Sequence, residues 1–204
     1  SDYRQELTLA SLPLVNRYGA EYRYDDIDEV GLYKTEGQKR LGPVRSDSVD
    51  EWNIGIYVEN QIAWNDNVRS VLGARYEYFN FDVHSRIDRN INGIDLGANS
   101  GQQNDDQLSL KGSLIYTFNS EWESYLSIGQ GLHSNDARGT TATVDPGDGS
   151  AISPVDPLVD SLGYEVGLRG FWSDRLNTSI ALWDLELDSE LLFVGDAGNT
   201  EASR

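Results

Sequence analysis

From Glu51 the chain alternates. In "WNIGIYVENQIAW", Trp52, Ile54, Ile56, Val58, Ile62 and Trp64 share one parity, and Asn53, Gly55, Tyr57, Glu59 and Gln61 share the other. A period of two sends successive side chains to opposite faces of an extended backbone, so this stretch predicts a two-faced strand of about 13 residues. Three polar residues, 65 to 67, separate it from "VRSVLGARYEYFNFD", where Val68, Leu72, Ala74, Tyr76 and Tyr78 alternate with Arg69, Gly73, Arg75 and Glu77. A tight hairpin is the expected join.

The design recurs twice. "LSLKGSLIYTF" sets Leu108, Leu110, Leu114, Tyr116 and Phe118 against Ser109, Lys111, Ser113 and Thr117, turns at "NSE", and continues into "WESYLSIGQGLH" with Trp122, Leu126, Ile128 and Leu132 on one face. "LGYEVGLRGFW" then sets Leu162, Tyr164, Val166, Leu168 and Trp172 against Glu165, Gly167 and Arg169, turns at "SDR", and leads into "LNTSIALWDLEL". The alternation slips near Ala181 to Trp183, for which a bulge is expected. One or two further strands are expected around "LTLASL" and "NRYGAEYRY".

Between the pairs lie polar or Gly-rich segments at 25 to 51, 83 to 106 and 134 to 160. They are expected to be long loops, unusual in compact soluble domains. Short turns alternating with long loops suit an antiparallel transmembrane β-barrel, with turns on the periplasmic side and loops outside. Trp64, Phe118, Trp122 and Trp172 flank the short turns, where an interfacial aromatic girdle would sit. The apolar parity would then meet lipid, and Arg75, Glu77, Lys111, Glu165 and Arg169 would face a wet lumen. A soluble sandwich, with the apolar parity as its core, has the same alternation.

Composition narrows the choice. The 204 residues carry 11 Tyr, 5 Trp and 20 Gly, which favour sheet and turns. No run of 18 apolar residues offers a transmembrane helix, whereas a spanning strand needs only about 9–11 residues with alternate positions apolar. A net charge of −18 argues against a nucleic-acid partner. Cysteine is absent, which fits an exported protein that folds without disulfides.

Candidate chemistry is sparse. There is no GxSxG, P-loop or HExxH pattern, so no enzyme, cofactor or resident metal is expected. His84 and His133 fall near the outer ends of strands and raise the idea of a bound metal or metal chelate, against two unrelated solvated histidines. Asp145, Asp148 and Asp156 in "DPGDGSAISPVDP" suggest Ca²⁺, but their spacing fits no EF-hand and an acidic solvated loop is the plainer reading. "HSNDARG", 133 to 139, is the stretch chosen for ligand contact, through His133, Asn135, Asp136 and Arg138; its alternative is a hydrogen-bonded brace at the barrel rim.

Several stretches, taken in order, resemble the barrel of TonB-dependent outer-membrane receptors: "GIYVENQIAWNDNVRSVLGARYEYFNFDV", "LSLKGSLIYTFNSEWESYLSIGQGLHSNDARGTT", and the segment from "LGYEVGLRGFW" to "ELLFVGDAGNTE". The resemblance implies a barrel of about 22 strands closed by a plug. It implies uptake of a scarce nutrient, a siderophore or other metal chelate first, on energy delivered by the TonB complex. Outer-membrane lipid and lipopolysaccharide would surround it. Residues 1–204 are then expected to be part of the barrel domain, about eight strands of it, without the plug, and "FVGDAGNTEASR" an outer loop whose return strand lies beyond Arg204. Two alternatives stand beside it: a small complete barrel with a structural or adhesive role, and a secreted β-sandwich binding glycans or Ca²⁺.

Overall fold

The computed structural model describes the backbone of residues 1–9, 11–173, 175–194 and 199–203, and the side chains of 1–8, 11–173 and 175–189. Eight strands form one antiparallel sheet in chain order: β1 Asp2–Leu9, β2 Leu12–Glu36, β3 Lys39–Ala63, β4 Val68–Ser85, β5 Gly101–Thr117, β6 Trp122–Ser134, β7 Leu158–Ser173 and β8 Leu176–Leu187. Among the described residues β1 and β8 do not pair, so the sheet is open.

Register fixes the faces. Leu14, Tyr18, Tyr22 and Tyr24 of β2 stand opposite Ile62, Val58, Ile54 and Trp52 of β3, and Ile54 and Ile56 stand opposite Tyr78 and Tyr76 of β4. Among the described residues no second sheet covers this apolar face: Leu108 is 56% exposed, Leu126 58% and Ile180 73%. A sandwich would bury these side chains as its core, so the structure favours the barrel reading of the alternation.

The short turns are built twice from one device. Asn65 Oδ1 accepts the Asn67 and Val68 amides, each at 2.9 Å, and Asn119 Oδ1 accepts those of Glu121 and Trp122 at 2.8 and 3.0 Å. An Asn side chain bonded to the backbone two residues on mimics a turn, which is why "NDN" and "NSE" each reverse the chain.

The long connections differ from expectation. Residues 25–51 are not a loop: β2 and β3 run on as a ribbon to a two-residue turn at Gly37, where φ is +59°, with register shifts after Ile27, Leu32 and Lys34. A strand pair can carry polar side chains along most of its length and still pair its backbone, so polarity there did not signal a loop. The other two connections shrink to 86–100, with a 3₁₀ turn at Gly97–Asn99, and 135–157, with a short helix α1 at Ala137–Thr141. The slip in β8 is not a bulge either. Its pairing with β7 is continuous from Asn177 to Leu187, and the irregularity lies at Phe171 and Ser173. Finally, "ELLFVGDAGNTEAS" contains its own return strand: β9 Glu190–Val194 pairs with β10 Asn199–Ser203, apart from the main sheet.

Candidate functional site

Two aromatic rows bound the apolar face. At the turn end stand Trp64, Tyr116, Phe118, Trp122 and Trp172, with the Trp122 and Trp172 rings edge to face at 4.7 Å. At the loop end stand Tyr22, Tyr24, Trp52, Tyr76, Tyr78 and Tyr164. Trp52 on β3 and Trp64, the residue just past its end, are twelve residues apart, which at ~3.3 Å per residue and a tilt of ~45° spans roughly 28 Å, close to the band of an outer-membrane barrel. No Asp, Glu, Lys or Arg occupies this parity between the rows among the described residues. Two amides there, Asn16 and Asn60, satisfy each other at 2.6 Å. Just beyond the loop-end row the same parity turns acidic, with Asp26, Asp50 and Asp82 aligned across β2, β3 and β4.

The opposite face carries a lattice of ion pairs. Arg75 bridges Glu21 and Glu77, both at 2.8 Å; Glu59 takes Lys111 at 2.6 Å and Arg17 at 3.9 Å; Glu123 takes Arg69 at 2.7 Å and Arg169 at 3.0 Å. Tyr125 donates to Glu165, and the Arg169 guanidinium lies over the Tyr125 ring. Arg75, Glu77, Lys111, Glu165 and Arg169 therefore share one face, each with a partner. Glycine makes the arrangement shallow: Tyr125 lies across Gly167 and the Lys111 stem across Gly73, where a Cβ would overlap them. Shallow grooves remain, one lined by Glu21, Tyr57, Arg75 and Lys111.

Toward the loop end this face becomes apolar and is covered. Phe79, Phe81 and Val83 of β4 project there beside Val49 of β3, and Ala137 of α1 packs on them. The chain leaves β6, crosses the face of β5 and β4, reaches β3 and returns to β7. Leu132 and Leu158 join the same cluster although their parity is that of the apolar face lower in β6 and β7. Those two strand ends are thus tucked behind β4 and β5.

The segment 133 to 139 sits in this crossing. His133 is exposed. Asn135 is buried, its amide donating to the Asp156 carbonyl at 2.7 Å while its Oδ1 finds no partner among the described residues. Asp136 caps α1 by accepting the Arg138 amide at 2.9 Å and holds the Arg138 guanidinium through contacts of 2.5 to 3.2 Å. Arg45 of β3 donates to the Arg138 carbonyl at 3.0 Å and pairs with Asp47. Burial pushes the Asp47 carboxyl up, only partly offset by Arg45 and Arg138. Burial acts on Asp136 in the same sense, but there the hydrogen bonds and charge of Arg138 win and hold it below the ordinary range.

The other candidates do not converge. His84 lies on β4 with the outward parity, His133 on β6 with the inward one, and β5 stands between them. Asp145 Oδ1 accepts the Gly147 amide and Asp148 Oδ1 the Ser150 amide, so both carboxylates act in local turns. Among the described residues no group of three or more His, Asp or Glu side chains is placed to hold a metal ion.

The family model described as TonB dependent receptor-like, beta-barrel, matches residues 1–203. The chain belongs to that family. No curated protein sequence matches. Among solved structures, it resembles the ferric yersiniabactin uptake receptor FyuA from Yersinia pestis, at TM-score 0.62 and 15% identity over 91% of this chain and 28% of that one. It is similar to the ferric-catecholate import receptor Fiu from E. coli K12, at TM-score 0.62 and 9% identity over 91% of this chain and 29% of that one. It is also similar to the alcaligin outer membrane receptor FauA from Bordetella pertussis, at TM-score 0.54 and 17% identity over 95% of this chain and 33% of that one. At these identities the likeness shows the fold, and this chain spans a third or less of each structure.

As a segment of a TonB-dependent receptor barrel, the two-faced sheet has a simple reading: apolar face out, ionic lattice in. Sequence reading set Arg75, Glu77, Lys111, Glu165 and Arg169 on one face because they fall on the polar parity of a regular alternation. It missed Arg45, Asp47 and the seat under α1. One signal was present: in "YFNFDV" the apolar parity changes from Tyr78 to Phe79, Phe81 and Val83.

Proposed function

We propose that this chain is barrel wall from an outer-membrane receptor that imports a scarce nutrient, a siderophore or other metal chelate, on energy supplied through TonB. The plug, the TonB contact and the remaining strands belong to parts of the receptor outside this sequence. The observation that carries the reading is the uncovered apolar band between two aromatic rows, backed by an ionic inner face: one side made for lipid, the other for water. The structural neighbours are described as receptors for ferric yersiniabactin, ferric catecholate and alcaligin, which favours an iron chelate as cargo. The barrel wall acts by holding, not by chemistry; no enzymatic step is assigned to it.

Within this reading His133, Arg138 and Asp136 stand at the outer mouth, where an incoming chelate would pass. Arg138 and Asp136 neutralise each other, so ligand contact there would use the exposed His133 ring and backbone groups more than net charge. The lumen-facing ladder of Arg75, Glu77, Lys111, Glu165 and Arg169 would wet the inner wall. Deleting the gene in its native host and measuring uptake of radioactive iron presented as catecholate, hydroxamate and phenolate chelates tests the proposal. Loss of uptake of one class, restored by the intact gene, is expected; unchanged uptake of all three, with the protein absent from the outer-membrane fraction of the wild type, would overturn it.

A further inference from the structure

The ladder between β5 and β6 stops at Lys111 and Gly129. Beyond that point β5 stays with β4 as far as Gly101, and β6 stays with β7 as far as Ser134, but the two do not pair with each other. Side-chain amides take over: Gln107 Nε2 donates to the Gly131 carbonyl at 3.1 Å, and Gln130 Oε1 accepts the Leu110 amide at 3.2 Å. Gln107 projects from the inner face, so β6 has stepped inside β5. Gly129 and Gly163 are register partners at that step, where a strand pair without side chains bends most easily.

The chain then crosses three strands as a strap, and its attachments are of three kinds. The first is the apolar seat, where Phe81 and Val83 are fully buried. The second is the buried Arg45 and Asp47 pair, with Arg45 also holding the Arg138 carbonyl. The third is an amide stitch to the neighbouring connection. Asn99 Oδ1 accepts the Thr143 and Val144 amides, both at 2.9 Å, its Nδ2 donates to the Val144 carbonyl at 2.9 Å, and its own carbonyl accepts Thr141 Oγ1 at 2.8 Å. Asn90 Nδ2 ties the Pro146 carbonyl at 2.7 Å to the Val44 carbonyl at 3.0 Å, so the β2–β3 ribbon and both connections are joined.

Lids that open and close are drawn from the least stable parts of a structure: few buried contacts, exposed backbone. This strap is the opposite. Leaving its seat would bare Phe81 and Val83, strip Asn99 of its partners and uncover Asp47.

We propose that the strap is a fixed part of the outer mouth, seated before ligand arrives and throughout its passage, with Arg45 as the residue that positions it. The proposal rests on the transport reading for what passes the mouth, but its fixity is measurable without transport. A Cβ built on Gly101 lies 3.8 Å from the Thr141 Cβ, the usual separation across a disulfide. No cysteine among these 204 residues competes.

The full receptor carrying Gly101→Cys and Thr141→Cys should oxidise without ligand, bolting α1 to β5. Uptake of radioactive iron as the chelate class taken up by the wild type should then agree within about twofold between oxidised and reduced cells. A loss of tenfold or more on oxidation, restored by reductant, would show that the strap must move and would overturn the proposal. Amide exchange on the ligand-free wild-type receptor decides independently. Gly139, Thr143 and Val144 should exchange as slowly as the β4 ladder, and exchange at loop rates would overturn the fixed strap whatever the cargo. Absence of uptake in the wild type would count against the transport reading alone, because the exchange result still settles fixity.

Discussion

The loop ends of β4 and β8 have the same pattern and different surroundings. In β4 the apolar parity crosses from the outer to the inner face after Tyr78, and Phe79, Phe81 and Val83 are buried beneath α1. In β8 it crosses after Leu182: Trp183, Leu185 and Leu187 align with Glu165, Gly163 and Ser161 on the inner face, while Asp184 and Glu186 turn outward. There nothing among the described residues covers them, and Trp183 is 72% exposed. The lesson is that a change of apolar parity partway along a barrel strand marks the level at which lipid ends outside. What happens inside at that level depends on which connection folds over it.

The comparison can be broken most forcefully at the covered ring. Phe81→Ala should lower the local stability of the strap by about 3–5 kcal/mol, the usual cost of emptying a buried aromatic site. It would be read as faster amide exchange in 135–157 with the β3–β4 ladder below Tyr76 unchanged. Equal protection in variant and wild type would mean that the seat does not hold the strap.

Arg45→Ala should cost about 3–5 kcal/mol of the same local stability at neutral pH, because it leaves Asp47 buried and unpaired. The pH dependence follows from sign. Burial already raises the Asp47 carboxyl above its ordinary value, and losing Arg45 raises it further. A carboxyl whose folded pKa exceeds its unfolded one favours the folded state fully below the unfolded pKa and loses that contribution as pH rises through the folded pKa. The defect should therefore shrink as pH falls from neutral toward the carboxylate range; exchange measured across that window would contradict the assignment if the defect grew instead.

Asn99→Ala should cost about 1 kcal/mol, since it removes the hydrogen bonds to the part-buried backbone groups of Thr143 and Val144. It should loosen the outer half of the strap, 143 to 157, more than α1. Trp183→Ala should have the smallest effect, under ~1 kcal/mol, as exposed positions usually do. A cost matching that of Phe81→Ala in the full receptor would show that a part of the protein outside the described residues seats on β8 as α1 seats on β4.

Much of this was legible in the residues. Alternation around Ile54 and Ile56, and the Asn at the head of two of the short turns, specify strand, face and reversal locally, because each depends on neighbours one to three residues away. The ribbon at 25–51 was not legible, since charged residues suit a solvated strand pair as well as a loop. The parity change at Phe79 was visible but ambiguous: it says that the inner face is apolar, not what covers it. The Arg45 contact to Arg138 joins residues 93 apart, and no local pattern marks a charge pair for burial. In "HSNDARG" the sequence offered ligand contact or a brace. Asn135, Asp136 and Arg138 all make bracing contacts, and His133 is the side chain left exposed.

The central claim is that the apolar parity meets lipid and the charged parity meets water. Single cysteines at Leu108, Ser109, Leu110 and Lys111 in the native receptor, each carrying a fluorophore and reconstituted with brominated lipids, test it directly. The account predicts strong quenching at 108 and 110 and weak quenching at 109 and 111. Uniform quenching, or quenching at 109 and 111 instead, would contradict it.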